Sequence, residues 1–259
     1  MYKRLMKIAF AVALVLVGVV ADYAIPPQKT VPERMLESVV VVEQASGIVV
    51  YSDDELALIL TAFHVIAEKV DIENNKIGDI IVSYRYYVAS EIVISEGYIV
   101  TAITINQAKD LALLKIEPKR RLDYRPIAKA IADPNLGDDI WIASNPLRNY
   151  RSLKKGMVSA VKDRFNRYEQ PEWEIGGGVI FGASGGGVFN EDGELFGVIS
   201  SVAMLRTDCW ETEELDEKGE PQVECDFVPI PYVGFITPPT SIRQFLLESD
   251  FSKYFEYLQ

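Results

Sequence analysis

The sequence predicts an all-β protein, and three observations carry that expectation. Short runs rich in Val, Ile and Tyr recur along the chain: Val39–Val42, Ser46–Tyr51, Leu56–Thr61, Ile80–Tyr87, Glu91–Ser95, Ile99–Asn106 and Leu111–Ile116. A second set follows a more polar stretch: Asp139–Ala143, Ser152–Val161, Trp173–Ile175, Gly187–Phe189, Leu195–Ser201 and Tyr232–Ile236. Polar turns such as Ser52–Asp54 separate the runs, a pattern of barrels or sandwiches rather than of alternating β and α units. With 259 residues the chain is either one large β unit or two small domains, and 49% apolar residues can fill a sizeable core.

Taken in order, the chain begins with Lys3, Arg4 and Lys7, followed by an apolar run from Ile8 to Ala21. That length suits the core of an export signal and is short for a bilayer span. Residues 1–21 are therefore read as a signal peptide cut after Ala21 or as an uncleaved anchor, with residues 8–21 as a membrane tether. Loss of 1–21 would take the net charge from −12 to −15. No cysteine stands near the cut to accept a lipid. Residues 22–35 read as a proline-bearing linker. Residues 36–120 hold the first set of strands, 121–135 connect the halves, and 136–259 hold the second set. The second half carries an acidic insertion at 204–231. It ends in an amphipathic helix over Pro239 to Leu258, where Ile242, Phe245, Leu246, Phe251 and Phe255 recur at mainly helical spacing.

Charge and composition narrow the partners. A net charge of −12 argues against nucleic acid, which needs a basic patch. One histidine and two cysteines are too few for the usual zinc site, and neither metal nor cofactor is expected. Within the insertion, Asp208 to Asp226 holds nine acidic residues and one lysine. Cys209 and Cys225 bracket it; in an exported chain they close a disulfide, and the alternative is two free thiols.

The chemistry centres on Gly176 to Phe189, GGGVIFGASGGGVF. Glycines around Ser184 let the backbone turn tightly and present a hydroxyl together with N–H groups aimed at an oxyanion. By itself such a stretch is equally a flexible turn with an incidental serine. His64 lies in TAFHVIAEKV, one or two helical turns after a strand, and Asp110 stands at the mouth of the strand Leu111–Ile116. A nucleophilic serine needs a base, and the base needs a carboxylate to hold its tautomer. Chain order separates the folds that host such a triad. The G-x-S-x-G elbow of α/β-hydrolases places histidine after serine, and no histidine follows Ser184. Subtilisin-like enzymes place aspartate first, in an α/β fold that the short strands do not suit. The order His, Asp, Ser with short strands points to a chymotrypsin-type double barrel.

At these residues the sequence resembles the trypsin-like peptidases. TAFHV is similar to their histidine motif, KDLALLKI to their aspartate motif and GASGGGVFNEDGELFGVIS to their serine motif. ASGIVV, WIASNPL, GMVSAV and GFITPP resemble further segments of the HtrA-like branch, in the same order, so the likeness runs from about Val39 to Leu247. The resemblance implies two six-stranded β-barrels with a C-terminal helix and an active site in the cleft between them. It implies His64 as general base, Asp110 as its orienter and Ser184 as nucleophile, with the N–H groups of Gly182 and Ser184 as oxyanion hole. It places the substrate pocket at Gly178, Val179, Ile180 and Phe181, with Ile199, Ser200 and Ser201 on the other wall. With no carboxylate at Gly178, cleavage after small or medium aliphatic residues is expected.

Two departures stand out. Ala183 replaces an Asn or Asp of the family, which removes the pairing that digestive relatives make with a newly cut N-terminus. After Gly234 only 25 residues remain, so no PDZ module is expected. The implied function is a serine endopeptidase acting on protein or peptide substrates, in quality control or processing outside the cytoplasm. The alternative is a catalytically silent scaffold of the same fold that binds proteins. The acidic insertion is expected at the rim of the cleft, either as a solvated loop or as a device that attracts substrates with basic flanks.

Overall fold

Val39–Val42 is four valines in a row, and all four are buried. Such a strand has no solvent face, so it must sit in a sheet covered on both sides. The computed structural model places it there. It describes residues 29–259 apart from 75, 89–91, 123, 126–134, 149, 167–169 and 216–220. The expected signal or anchor, the first half of the linker (22–28) and most of the inter-barrel connection lie outside the described residues. Among the described residues no helix is long and apolar enough to cross a membrane.

A short helix, α1 (Val31–Glu37), precedes the first half. That half contains β1 (Val39–Val42), β2 (Ala45–Ser52), β3 (Ala57–Thr61), β4 (Val70–Asp71), β5 (Lys76–Ile77), β6 (Ile81–Val88), β7 (Ile92–Ile99), β8 (Ala102–Asn106) and β9 (Leu111–Ile116). Seven of these form one sheet in the order β7-β6-β1-β2-β3-β9-β8, and β4 and β5 make a small separate pair. Side chains alternate across the pleat. Val40, Val42, Val49, Ile59, Ala112 and Leu114 pack on one face. Val39, Ile48, Leu58, Leu60, Leu111 and Leu113 pack on the other, against Phe189, Leu195 and Ile242 of the second half.

The second half is a closed barrel of β10 (Asp139–Ser144), β11 (Ser152–Phe165), β12 (Pro171–Gly176), β13 (Gly187–Phe189), β14 (Leu195–Leu215) and β15 (Pro221–Thr237). Its interior is filled by residues such as Ile142, Val158, Trp173, Ile175, Val188 and Ile236. The C-terminal helix, α2, spans Pro239–Glu248 and begins on a proline in its first turn, where the missing N–H has no helical partner to lose. It is shorter than the expected Pro239–Leu258. The Ser249 hydroxyl donates to the Leu246 carbonyl at 2.7 Å and closes the last turn. Two 3₁₀ turns follow, and they still bury Phe255 and Leu258.

The largest difference from the expected strands concerns the acidic insertion. Rather than leaving the sheet as a loop after Ser201, β14 and β15 continue together as a two-stranded ribbon beyond the barrel. Cys209 pairs directly with Cys225 in the antiparallel register, and the two form a disulfide. Extended backbone on both arms brings the thiols into register, and the bond in turn holds the arms together.

Candidate active site

Three chain segments converge in the cleft. His64 sits on a 3₁₀ turn, Phe63–Val65, directly after β3. Asp110 ends a turn before β9 and adopts φ 53°, a left-handed conformation that aspartate tolerates better than most residues. Because β3 and β9 are paired neighbours, these two turns leave the same end of the sheet. Three hydrogen bonds lock them together: Phe63 N–H donates to the Asp110 carbonyl at 3.1 Å, His64 N–H donates to Asp110 Oδ1 at 2.9 Å, and His64 Nδ1 meets Asp110 Oδ2 at 2.8 Å. An ionised carboxylate can only accept, so the proton of a neutral ring lies on Nδ1 and Nε2 keeps its lone pair. The imidazole is 42% exposed, open to a substrate from the cleft.

Ser184 comes from the second half, on the glycine-rich turn between β12 and β13. The turn packs directly on the first half. Ser46 N–H donates to the Ser184 carbonyl at 2.9 Å, and Ser46 Oγ donates to the Gly182 carbonyl at 2.7 Å. Gly185 has φ +80°, and a Cβ there would stand 2.1 Å from both the Ser46 carbonyl and Thr61 Oγ1, so only glycine fits. Ala183 is buried in the barrel core, which explains why an apolar side chain suits that position.

Peptide planarity sets the direction of the candidate oxyanion donors. The Phe181 carbonyl accepts from Leu147 N–H at 2.9 Å, and the Ala183 carbonyl accepts from Gly186 N–H at 2.8 Å. In a trans peptide the following N–H points the opposite way. The N–H groups of Gly182 and Ser184 thus face away from these contacts, and among the described residues neither donates to another protein group.

A cavity of about 640 Å³ contains His64, Asp110 and Ser184 in its lining. Of the other residues expected in the pocket, Phe181, Ser200 and Ser201 line it. Val179 and Ile199 are instead buried in the barrel core, and Gly178 lies beside the Lys154 side chain, whose Nζ donates to its carbonyl at 2.9 Å. Ile180 is half-buried outside the lining.

Three polar residues that sequence reasoning did not single out also form the wall: Gln107, Asn166 and Glu172. Glu172 is 6% exposed, and its Oε1 accepts from Ser200 Oγ at 2.9 Å. No local motif marks it; it enters the wall because β12 is the barrel neighbour of β15, whose partner β14 carries Ser200. Ser46 was missed too, although it lies in ASGIVV, one of the segments with a recognisable likeness.

Comparison with known proteins bears on the family and the fold. The family model of the trypsin-like peptidase domain matches residues 45–198. No curated protein sequence matches the chain. Among solved structures, the HtrA-type protease AlgW, solved with a decapeptide, is similar at TM-score 0.54 and 18% identity over 79% of this chain. The match covers 51% of the AlgW chain, so this protein spans about half its length. The MamO protease domain from Magnetospirillum magneticum in its apo form is similar at TM-score 0.54 and 15% identity, over 82% of this chain and 96% of that one. The inactive form of the Rv3671c protease is similar at TM-score 0.53 and 17% identity, over 84% and 91%. At these identities the structural likeness concerns the fold.

Proposed function

The chain belongs to the trypsin-like peptidase family, and on that premise we propose that it is a serine endopeptidase working through His64, Asp110 and Ser184. The observation that carries the reading is the pairing of His64 with Asp110 in the same cavity as Ser184. With Nδ1–H held by Asp110, Nε2 takes the hydroxyl proton as Ser184 Oγ bonds to the carbonyl carbon of the substrate. The N–H groups of Gly182 and Ser184 receive the oxyanion, a contribution of about 3 kcal/mol per donor to the transition state. Protonated His64 then gives its proton to the leaving nitrogen, the C–N bond breaks, and an ester on Ser184 remains. A water molecule, deprotonated by His64, attacks that ester and releases the acid and the free serine.

The proposal places the protein outside the cytoplasm, in processing or quality control of polypeptides, with residues 8–21 as a cleaved signal or a tether. The Cys209–Cys225 disulfide supports export, since such bonds persist in oxidising compartments. The decapeptide in the AlgW structure supports peptides as the substrate class. A fluorophosphonate probe tests the mechanism: it is expected to label Ser184 covalently and to leave the Ser184→Ala protein unlabelled. Failure of folded wild-type protein to react would overturn the enzyme reading in favour of a silent binding scaffold.

A further inference from the structure

The ribbon beyond the barrel bears an ordered apolar stripe that the catalytic reading does not use. On β15, Val223, Cys225, Phe227 and Pro229 are alternate residues and so share one face. Their partners across the ribbon are Glu211, Cys209, Arg206 and Met204. Cross-strand partners share a face, so the stripe runs from Met204 past Phe227 and the disulfide to Val223. Val223 is 61% exposed, Phe227 53% and Met204 41%. An apolar row of this kind outside any core marks an interaction site.

Two observations identify what covers it. First, the stripe is continuous with the cavity: Met204 lines the cavity together with His64 and Ser184. A chain held at Ser184 can therefore run onto the stripe without leaving the surface. Second, the ribbon is acidic. Among the described residues it exposes Asp208, Glu211, Glu214, Glu224 and Asp226, and on the stripe itself Glu211 is the acid and Arg206 the one cation. Such a surface favours a basic partner and disfavours an acidic one or a second copy of this ribbon. From Pro229 to Val223 the stripe is about 20 Å long, the span of about six extended residues.

We propose that the stripe is an exosite for an extended flank of the substrate, about six residues long, with apolar side chains at alternate positions and Lys or Arg between them. This rests on the peptidase reading and adds the substrate class. Apolar side chains of the flank lie over Phe227 and the disulfide, while its cations face the carboxylates of the ribbon edges. The disulfide keeps the two arms of the ribbon, and hence the stripe, in one register.

The test uses the full chain and two kinds of peptide. A short fluorogenic core, chosen by a library digest, reports on the cavity alone. The same core extended at either end by alternating Leu and Lys, or by alternating Leu and Asp, reports on the stripe. The Leu–Lys extension at one end is expected to raise kcat/KM about tenfold over the core, and the Leu–Asp extension is expected to give no gain. The gain should shrink in about 1 M salt, where the screening length is about 3 Å. It should vanish in Phe227→Ser and Val223→Thr, with turnover of the short core within about twofold of wild type.

Binding of a dye-labelled Leu–Lys peptide to the Ser184→Ala protein, read by anisotropy, separates the two proposals. Binding that Phe227→Ser weakens, without turnover by wild type, sinks the peptidase reading and keeps the exosite. Turnover of the core with no effect of any flank sinks the exosite and keeps the peptidase. Self-association or adsorption to anionic vesicles that Phe227→Ser abolishes would also overturn the exosite, since the stripe would then have another occupant.

Discussion

Ser46 donates its hydroxyl hydrogen to the carbonyl oxygen of Gly182 at 2.7 Å, joining residues 136 positions apart. Ser46 Oγ in turn accepts from Asn145 N–H at 2.8 Å, and Ser46 N–H donates to the Ser184 carbonyl at 2.9 Å. One fully buried serine on β2 thus ties the candidate oxyanion loop to the first half and to the segment after β10. Ser46→Ala leaves the Gly182 carbonyl and Asn145 N–H without this partner, each a cost of about 1–3 kcal/mol if it stays dry. The expected result is a positioning defect. kcat should fall about tenfold with KM within about twofold, and fluorophosphonate labelling should slow in parallel. Unchanged kcat and labelling in the folded variant would show that Ser46 serves packing alone.

Ser184→Ala and His64→Ala are each expected to remove turnover by a factor on the order of 10⁴–10⁶, and the double variant should be hardly worse. In the proposed mechanism His64 has nothing to activate once the hydroxyl is gone. Single-turnover assays with circular dichroism as a folding control check this. Independent, multiplicative losses would break the unit apart.

Cleavage is expected after small or medium aliphatic residues. That expectation rests on Gly178, which offers no carboxylate to pair with an entering cation, so the cation would be desolvated at a cost. Glu172 makes the outcome informative, because it puts a carboxylate in the cavity wall beside Ser200. Mass spectrometry of a digested peptide library reads the preference. A clear preference for Arg or Lys would refute the aliphatic expectation and make Glu172 the specificity carboxylate, to be checked with Glu172→Gln.

Asp53 supplies a pH-dependent contribution to stability. Its Oδ1 accepts the N–H groups of Leu56 and Glu55 at 2.8 and 2.9 Å, and its Oδ2 accepts the Tyr51 hydroxyl at 3.0 Å. The Leu56 and Glu55 bonds stabilise the ionised form and hold the carboxyl below its ordinary value. A depressed folded value means that the unfolded chain binds the proton more readily. The stabilisation is therefore fully present above about pH 4, the ordinary aspartate range, and is lost as pH falls through the folded value. Asp53→Asn imitates the protonated group, so it should lower Tm by about 2 °C at neutral pH. The gap to wild type should close on acidification, as read by thermal melts across the acid range. A gap that is constant with pH would assign the loss to packing instead.

Much of the site was legible because its signals are local. TAFHV, AKDLALLKIE and GASGGG each place one chemical group at a strand end; chain order excluded the α/β-hydrolase elbow, and the short strands argued against the subtilisin-like fold. The run Val39–Val42 read as a strand from its composition, and the structure adds that all four valines are buried. The two cysteines announced a disulfide only jointly with an export context, and free thiols remained an alternative until Cys209 and Cys225 came into register. Even the strands bounding the insertion read correctly near the barrel, where Leu195–Ser201 and Tyr232–Ile236 are apolar. They failed beyond it, because Asp and Glu are poor strand formers and hid the ribbon.

What the sequence determined by itself is therefore the all-β class and the local setting of the candidate groups: Ser184, His64 and Asp110, each in its own turn. The tertiary structure decided the partners. Ser46 reaches Gly182, Glu172 reaches Ser200, and Met204 reaches the cavity only through the way the barrel strands pair and the two halves meet. Propensity and spacing act over a few neighbouring residues, whereas register brings together residues tens to more than a hundred positions apart. A one-residue slip in that register would turn each side chain to the opposite face.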